Sequence, residues 1–543
     1  MERHYLTADT VITNGRVLTV DAQDTVAEAV AIRGKYILDV GSAAEMAAYV
    51  DEHTKVIDAG GKTVMPGFID THIHAGMYGL LDHGIINVVY PKVHSIADIQ
   101  QLIREDAAKK KPGEWIKLNG YDHNKLAEKR HPTKEELDAA APDHPVQLTR
   151  CCAHMGVYNT LALKMADVER ADQFAPDEVV LNPDGTIHGP LKETAHMSTS
   201  TKVEYAHEEL VEGYVNASEI LLSLGVTSAH DTGAWEAIST RAMQDACLSG
   251  AVKVRINMMV FDMFGKESGI RYIDSFLATG IHSGCGNEHF RIGPIKLMLD
   301  GSSSGPSAAV IDGYSHAPED HGIQVWTQEE TDEAILKAHK AGFQITAHAV
   351  GDLAVTMIVN AVEKALKAYP RADHRHRIEH CGLTNPDLIA RIAKLGMVPV
   401  SNPAFITING TDYNRYYGER VRGMFPLKSY LEAGVITAIG SDAPITYPDP
   451  VNSLYGALNR KDRKTGELTG ENQRVAVLDA VRMFTYNGAY VSFEEQIKGS
   501  LEPGKLADVV ILDQDLLTYP VEQIQDVTVR YTLVDGKVVY TKA

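Results

Sequence analysis

The stretch Val64-Met65-Pro66-Gly67-Phe68-Ile69-Asp70-Thr71-His72-Ile73-His74 decides how the rest of the chain is read. Its apolar, β-prone run ends in a His-x-His pair. On a strand, residues two apart project from one face, so His72 and His74 point together; on a helix the same spacing sends them to nearly opposite sides. Two imidazoles on one face can grip a single metal ion. A bare His-x-His pair also occurs on an ordinary polar strand edge, so the surrounding chain must decide.

Outward from this stretch, β-rich runs alternate with helical segments at Gly225 to Ser228, Val252 to Val260, Ile292 to Leu299, Phe343 to His348, Arg377 to Cys381, Met397 to Ser401 and Ala438 to Asp442. Repeated strand–helix units predict an α/β fold with a parallel sheet, and a barrel leads the candidates. Reactive groups then belong at the strands' C-terminal ends. Short strand patterns before residue 65 and after residue 490 predict one composite β domain, 1–64 plus 490–543, because isolated hairpins are only marginally stable. The barrel then occupies 65–489, and about 85–205 interrupts the rhythm as an insertion after its first strand, a candidate lid or pocket wall. Within that insertion, His131 to Pro145 reads as a proline-rich loop.

Four later strand ends bear on the His-x-His pair. Lys296 lies inside the apolar run Ile292 to Leu299, where a bare ammonium is costly unless it is paired or chemically altered. Carboxylation by CO2 would make it an anionic bridge, whereas reaching the barrel mouth or pairing with Asp300 is the ordinary alternative. His348 and His380 each end an apolar strand before small or turn-forming residues, and Asp442 closes the run from Ala438. Singly, each histidine reads as a satisfied structural group and Asp442 as a turn carboxylate. Histidines at two equivalent strand ends are harder to dismiss.

In chain order, His72, His74, Lys296, His348, His380 and Asp442 resemble the metal centre of the amidohydrolase superfamily. The surrounding words are similar to its third family, which includes N-substituted formamide deformylases: Met65 to His74, Lys296 with Asp300-Gly301-Ser302, His348 to Asp352, Arg377 to His380, Gly440 to Pro444, and Gly499 to Asp508. Gly113-Glu114-Trp115-Ile116, Leu137 to Pro142, and His154 with Asn159 extend the likeness into the insertion. The resemblance implies a (β/α)8 TIM barrel flanked by a β-sandwich built from both chain ends. It implies that His72 and His74 bind the more buried of two metals and His348 and His380 the more exposed one. Lys296 would bridge them as an N6-carboxylated lysine, with Asp442 on the buried ion.

Two zinc ions suit this donor set, while manganese, iron and cobalt are compatible by residue type. One metal with an unmodified Lys296 is the alternative. Where many family members follow Asp-Gly with a Gly- and Arg-containing loop, this chain has Ser302-Ser303-Ser304-Gly305-Pro306-Ser307-Ala308, which argues against arginine-dependent binding of anionic substrates.

The reaction expected is metal-dependent hydrolysis of a non-peptide C–N bond in a small molecule, a linear amide or an N-formyl or N-acyl amine. The metal activates water as hydroxide, and Asp442 serves as general base and then general acid. His154 either polarises the substrate carbonyl or is structural. Trp115 and Tyr121 either line an apolar substrate pocket or pack the insertion, and Asp300 is grouped with the substrate-binding residues. The competing readings are a deaminase or a cyclic-amide or carbamate hydrolase on the same barrel, and a non-catalytic scaffold that inherited it.

Composition narrows the partners. Among 543 residues, 72 acidic against 52 basic side chains give a net charge of −20, which argues against nucleic acid. No apolar run approaches the roughly 20 residues that cross a bilayer, and the start carries no export signal. Five cysteines without paired spacing (Cys151, Cys152, Cys247, Cys285 and Cys381) indicate neither a disulfide framework nor a thiolate zinc site, and point to a reducing cytoplasm. The family resemblance suggests a homodimer.

Overall fold

The computed structural model describes residues 7–81, 85–151, 155–168, 170–174, 176, 178–200, 202–233, 236–261 and 266–542. The chain forms two compact units, one from residues 1–75 with 218–543 and one from 76–217.

Eight strands of the first unit make one sheet in sequential order: β1 (Phe68–Ile73), β2 (Val226–Asp231), β3 (Arg255–Val260), β4 (Phe290–Met298), β5 (Ile345–Ala349), β6 (Arg377–His380), β7 (Val398–Ser401) and β8 (Ala438–Ile439). Every neighbouring pair is parallel. The sheet closes on itself where the Thr71 hydroxyl donates to the Ile439 carbonyl at 2.8 Å and the Asp442 amide donates to the His72 carbonyl at 2.7 Å. Strands β1 and β2 are covered on both faces, with every residue buried, the polar Asp70, Thr71 and His72 and Thr227, Ser228, His230 and Asp231 included. Helices Glu236–Leu248, Lys266–Thr279, Gln328–Lys340, Asp352–Ala368, Pro386–Leu395, Ala404–Tyr417 and Pro450–Asn459 follow β2 to β8 in turn. The result is the expected (β/α)8 barrel, with all strand C-termini at one rim.

Local chemistry sets the helix ends. Thr327 and Glu330 form a reciprocal capping box. Asn385 caps Leu388 ahead of a first-turn proline, and Gly396, at φ +68°, ends that helix in a left-handed conformation.

Two further sheets belong to this unit. Tyr36–Gly41, Ala29–Arg33, Thr10–Thr13 and Lys55–Asp58 form the first; Lys537–Thr541, Val529–Val534, Val509–Leu512, Thr63–Pro66, Arg16–Leu18 and Val26–Ala27 form the second, each in that order. Thr63–Pro66 pairs antiparallel with Val509–Leu512, so strands from both chain ends share a ladder. Ile12, Val30 and Ile57 of one sheet pack with Val64, Ile511 and Leu533 of the other.

The unit 76–217 carries its own six-stranded sheet, ordered Val179–Leu181, Ile187–Lys192, Met155–Tyr158, Val146–Arg150, Ile116–Tyr121 and Ile86–Asn87. The segment read as a proline-rich loop contains a helix, Lys134–Ala140. Thr133 and Glu136 form a capping box there, and Pro132, Pro142 and Pro145 fall outside the helix, so the prolines bound it rather than break it. The last barrel strand is also shorter than the run Ala438 to Asp442 suggests. Asp442 takes a left-handed φ of 59°, which turns the chain out of the ladder. Among the described residues, no helix is long and apolar enough to cross a membrane.

The shared core of the chain ends has a measurable consequence. Ile511→Ala removes a fully buried side chain and costs about 2–5 kcal/mol, seen as a lower denaturation midpoint. An unchanged midpoint contradicts a core built from both ends.

Candidate metal centre

The rim of the barrel gathers His72 and His74 from the end of β1, Lys296 from β4, His348 from β5, His380 from β6 and Asp442 just after β8. His72 Nε2 lies 3.2 Å and His74 Nε2 3.6 Å from Asp442 Oδ1. The rings of His72 and His380 are 4.7 Å apart, and those of His348 and His380 4.5 Å. Ligating atoms of His72, His380 and Asp442 all fall within 4.8 Å of one another. Gly440 permits this approach, since a Cβ there would stand 2.5 Å from His72 Cβ.

Each imidazole is held by one nitrogen. His72 Nδ1 meets Glu379 Oε2 at 2.5 Å, His74 Nδ1 meets the Gly233 carbonyl at 2.7 Å, His348 Nε2 meets the Gly301 carbonyl at 3.0 Å, and His380 Nδ1 meets Asn402 Oδ1 at 2.7 Å. An acceptor on one nitrogen places the proton there and leaves the other as a lone pair, the arrangement by which ligating histidines are oriented. His72 Nε2 is buried without a hydrogen-bond partner among the described residues, an arrangement costly for a polar atom unless a cation completes it. Burial keeps all four rings neutral: it pushes His74 down to about 3 and His348 to about 4, and holds His72 and His380 well below the usual imidazole range. Neutral imidazole is the form that binds metal.

Lys296 is buried, with Nζ 4.6 Å from the Phe261 ring centroid and, among the described residues, no hydrogen bond or ion pair. Burial lowers its pKa against the pull of Glu379 and Asp442. Asp442 moves the opposite way, raised by burial against the pull of Lys296. Both shifts mark groups whose charged forms lack solvent.

Beneath the six lies a network that the sequence reading did not assign. Glu379 accepts from the Thr346 hydroxyl at 2.6 Å and pairs with Arg377 Nε at 2.7 Å. Arg377 also donates to the Thr71 carbonyl at 2.6 Å and to His230 Nδ1 at 3.0 Å. Asp70 Oδ1 accepts from the amides of His72 and Ser441, tying β1 to the chain after β8. Opposite charges two apart in the buried strand Arg377-Ile378-Glu379 were the available signal, by the reasoning applied to Lys296. Asn402 carried none.

Asp300 borders the centre, its Oδ1 3.6 Å from His348 Nε2, whereas Trp115 and Tyr121 fill cores of the unit 76–217. Asp300 is fully buried and accepts from the amides of Ala309, Val350 and Gly351 at 2.8–3.0 Å; burial raises its pKa to about 7. It ties the loop after β4 to the chain after β5. Trp115 packs with Tyr158, Leu163 and Leu191 in a core of the unit 76–217. Tyr121 packs with Ile116 and Leu148 in that unit, its hydroxyl 2.9 Å from His131 Nδ1. His154 lies outside the described residues. A second grouping of potential donors, Glu288, His289 and Asp535, is already engaged: Glu288 with Lys35, and Asp535 with Arg255 and His289. It reads as an ion-pair network.

A sequence model described as the Amidohydrolase family matches residues 55–540. The chain belongs to the amidohydrolase family. It is a metal-dependent hydrolase acting on C–N bonds. Protein LONG AFTER FAR-RED 3 of Arabidopsis thaliana is 29% identical, over 93% of this chain and 87% of its own length. The N-substituted formamide deformylase of Arthrobacter pascens is 26% identical over 98% of both chains. The crystal structure of an uncharacterized metal-dependent hydrolase from Pyrococcus horikoshii OT3 matches this amidohydrolase with a TM-score of 0.79 at 25% identity, covering 94% of this chain and 99% of that one.

The Glu379 contact yields a test. Glu379→Gln keeps the shape but weakens the charge-assisted hold on His72, so zinc affinity should fall about 10–100-fold in a competition titration. Unchanged affinity contradicts a role for Glu379 in orienting His72.

Proposed function

We propose that this amidohydrolase cleaves the C–N bond of a linear amide, an N-formyl or N-acyl amine, using two divalent ions held by His72, His74, His348, His380, Asp442 and a carboxylated Lys296. The observation that carries the reading is the convergence of neutral, singly anchored imidazoles on Asp442, His72 and His380 buried beside it, with His72 Nε2 left without a hydrogen-bond partner among the described residues. Likeness over nearly the full length to an N-substituted formamide deformylase supports the bond type. Zinc suits these nitrogen and oxygen donors, and when bound supplies the positive charge that polarises a carbonyl and lowers the pKa of water toward 7.

The chain's own groups handle the protons. Asp442 turns Oδ1 toward His72 and His74, leaving Oδ2 to take a proton from the attacking water. The same oxygen then returns that proton to the departing nitrogen, so the products are a carboxylic acid and an amine. Burial, which raises the pKa of Asp442, suits a group that must both accept and give a proton near neutrality. Burial also favours the neutral amine of Lys296, the form that adds CO2; the resulting carbamate is an anion fit to bridge two cations. Cys247, Cys285 and Cys381 are free thiols, which fits a cytoplasmic home, and the family likeness favours a homodimer.

Chelation should abolish hydrolysis of N-formyl and N-acyl amines, with zinc or manganese restoring it. Asp442→Asn should cost about 10²–10⁴-fold in kcat while the protein folds normally. Ammonia release without carboxylate and amine products contradicts the reading in favour of a deaminase, and full activity in metal-free protein contradicts it altogether. Mass analysis of the native protein should find one CO2 on Lys296; an unmodified lysine in the active, metal-loaded protein contradicts the carbamate.

A further inference from the structure

The candidate centre is bordered by apolar side chains. Phe261 lies against Lys296, and Phe405 stacks on His380 with ring centroids 6.0 Å apart and an interplanar angle of 21°. Met298 stands two residues beyond Lys296 on β4, so it shares the same face, one step nearer the rim. Its partner in the β4–β5 register is His348. Met298 is 39% exposed although Leu297 and Leu299 on either side are buried, so its side chain looks into open space above the ligand set. Ile445 closes a turn on Asp442, its amide donating to the Asp442 carbonyl at 2.8 Å, and its side chain is 59% exposed.

Apart from Lys296, cationic side chains are missing from the same rim among the described residues. The three positions after each of the eight strands contain no lysine or arginine. Arg377 spends its guanidinium on Glu379, His230 and the Thr71 carbonyl. In the loop after β4, Ser303 bonds the Tyr413 hydroxyl, and the Ser302 hydroxyl accepts from the Ser304 amide. These are neutral contacts.

We propose that the site selects an uncharged amide bearing an apolar substituent, and that Met298 sets this preference. The inference rests on the amide-hydrolysis reading above and narrows its substrate class. An alkyl or aromatic substituent sheds water against Met298 at a gain, and the flexible thioether adapts to either shape. A carboxylate beside Met298 sheds water with no lysine or arginine just after the strands to pair with it.

The test compares benzohydroxamate with 4-carboxybenzohydroxamate, which share a ring and a chelating head and differ in one charge. Calorimetry on zinc-loaded protein should show the uncharged compound binding about tenfold more tightly or better. Met298→Arg, checked for folding and zinc content, should reverse or erase that order, whereas Met298→Leu should keep it. Equal affinities, tighter binding of the charged compound, or an order that survives Met298→Arg overturns the proposal. Turnover of N-formyl amines is read separately, so the specificity claim and the amide reading fail independently.

Discussion

Everything at the rim depends on the first barrel strand meeting the last. The Asp442 amide on the His72 carbonyl, the Ser441 amide on Asp70, and the Thr71 hydroxyl on the Ile439 carbonyl join segments that are about 370 residues apart in sequence. Without that seam, Asp442 has no reason to face His72, and the remaining histidines have no common target. The seam tolerates only glycine at 440, because a side chain there would occupy the place of His72.

The seam alone would bring together groups that repel or starve for solvent. A second layer makes the cluster tolerable: a carboxylate, two carbonyls and an amide oxygen each take one imidazole nitrogen, so no ring needs a charge to be satisfied. Glu379 is central, since it links His72 to Arg377 and Thr346 and so spans β1, β5 and β6. Backbone strain collects at the same places. His380, Cys381 and Asp442 take φ values of 67°, 43° and 59°, a region that side chains other than glycine seldom adopt. Such positions persist only where surrounding structure over-determines them, as it does here.

Much of this was legible in the sequence because β-prone runs such as Val252 to Val260 and Ile292 to Leu299 alternate with helical segments, and because reactive residues punctuate their ends. His-x-His reads clearly since two-residue spacing has one meaning on a strand. Asn402 is different: its role depends on lying opposite His380 across β6 and β7, a relation no local pattern encodes. Asp300 borders His348, yet the amides of Ala309, Val350 and Gly351 claim its carboxylate, a set of partners that its place in the sequence after Lys296 does not reveal. Aromatic residues are ambiguous in the same way. Trp115 and Tyr121 look like pocket walls in a list of residues, and only packing reveals that both fill cores of the unit 76–217. The helix Lys134–Ala140 was hidden by flanking prolines, although its Thr-x-x-Glu cap was in plain view.

The account's central claim is that the unpartnered nitrogen of His72 and the carboxylate of Asp442 share a cation. Anomalous scattering from crystals grown with zinc tests it most directly. The account predicts a peak within about 2.0–2.2 Å of both His72 Nε2 and an Asp442 oxygen. A rim without any peak, or zinc bound only among Glu288, His289 and Asp535, would contradict it.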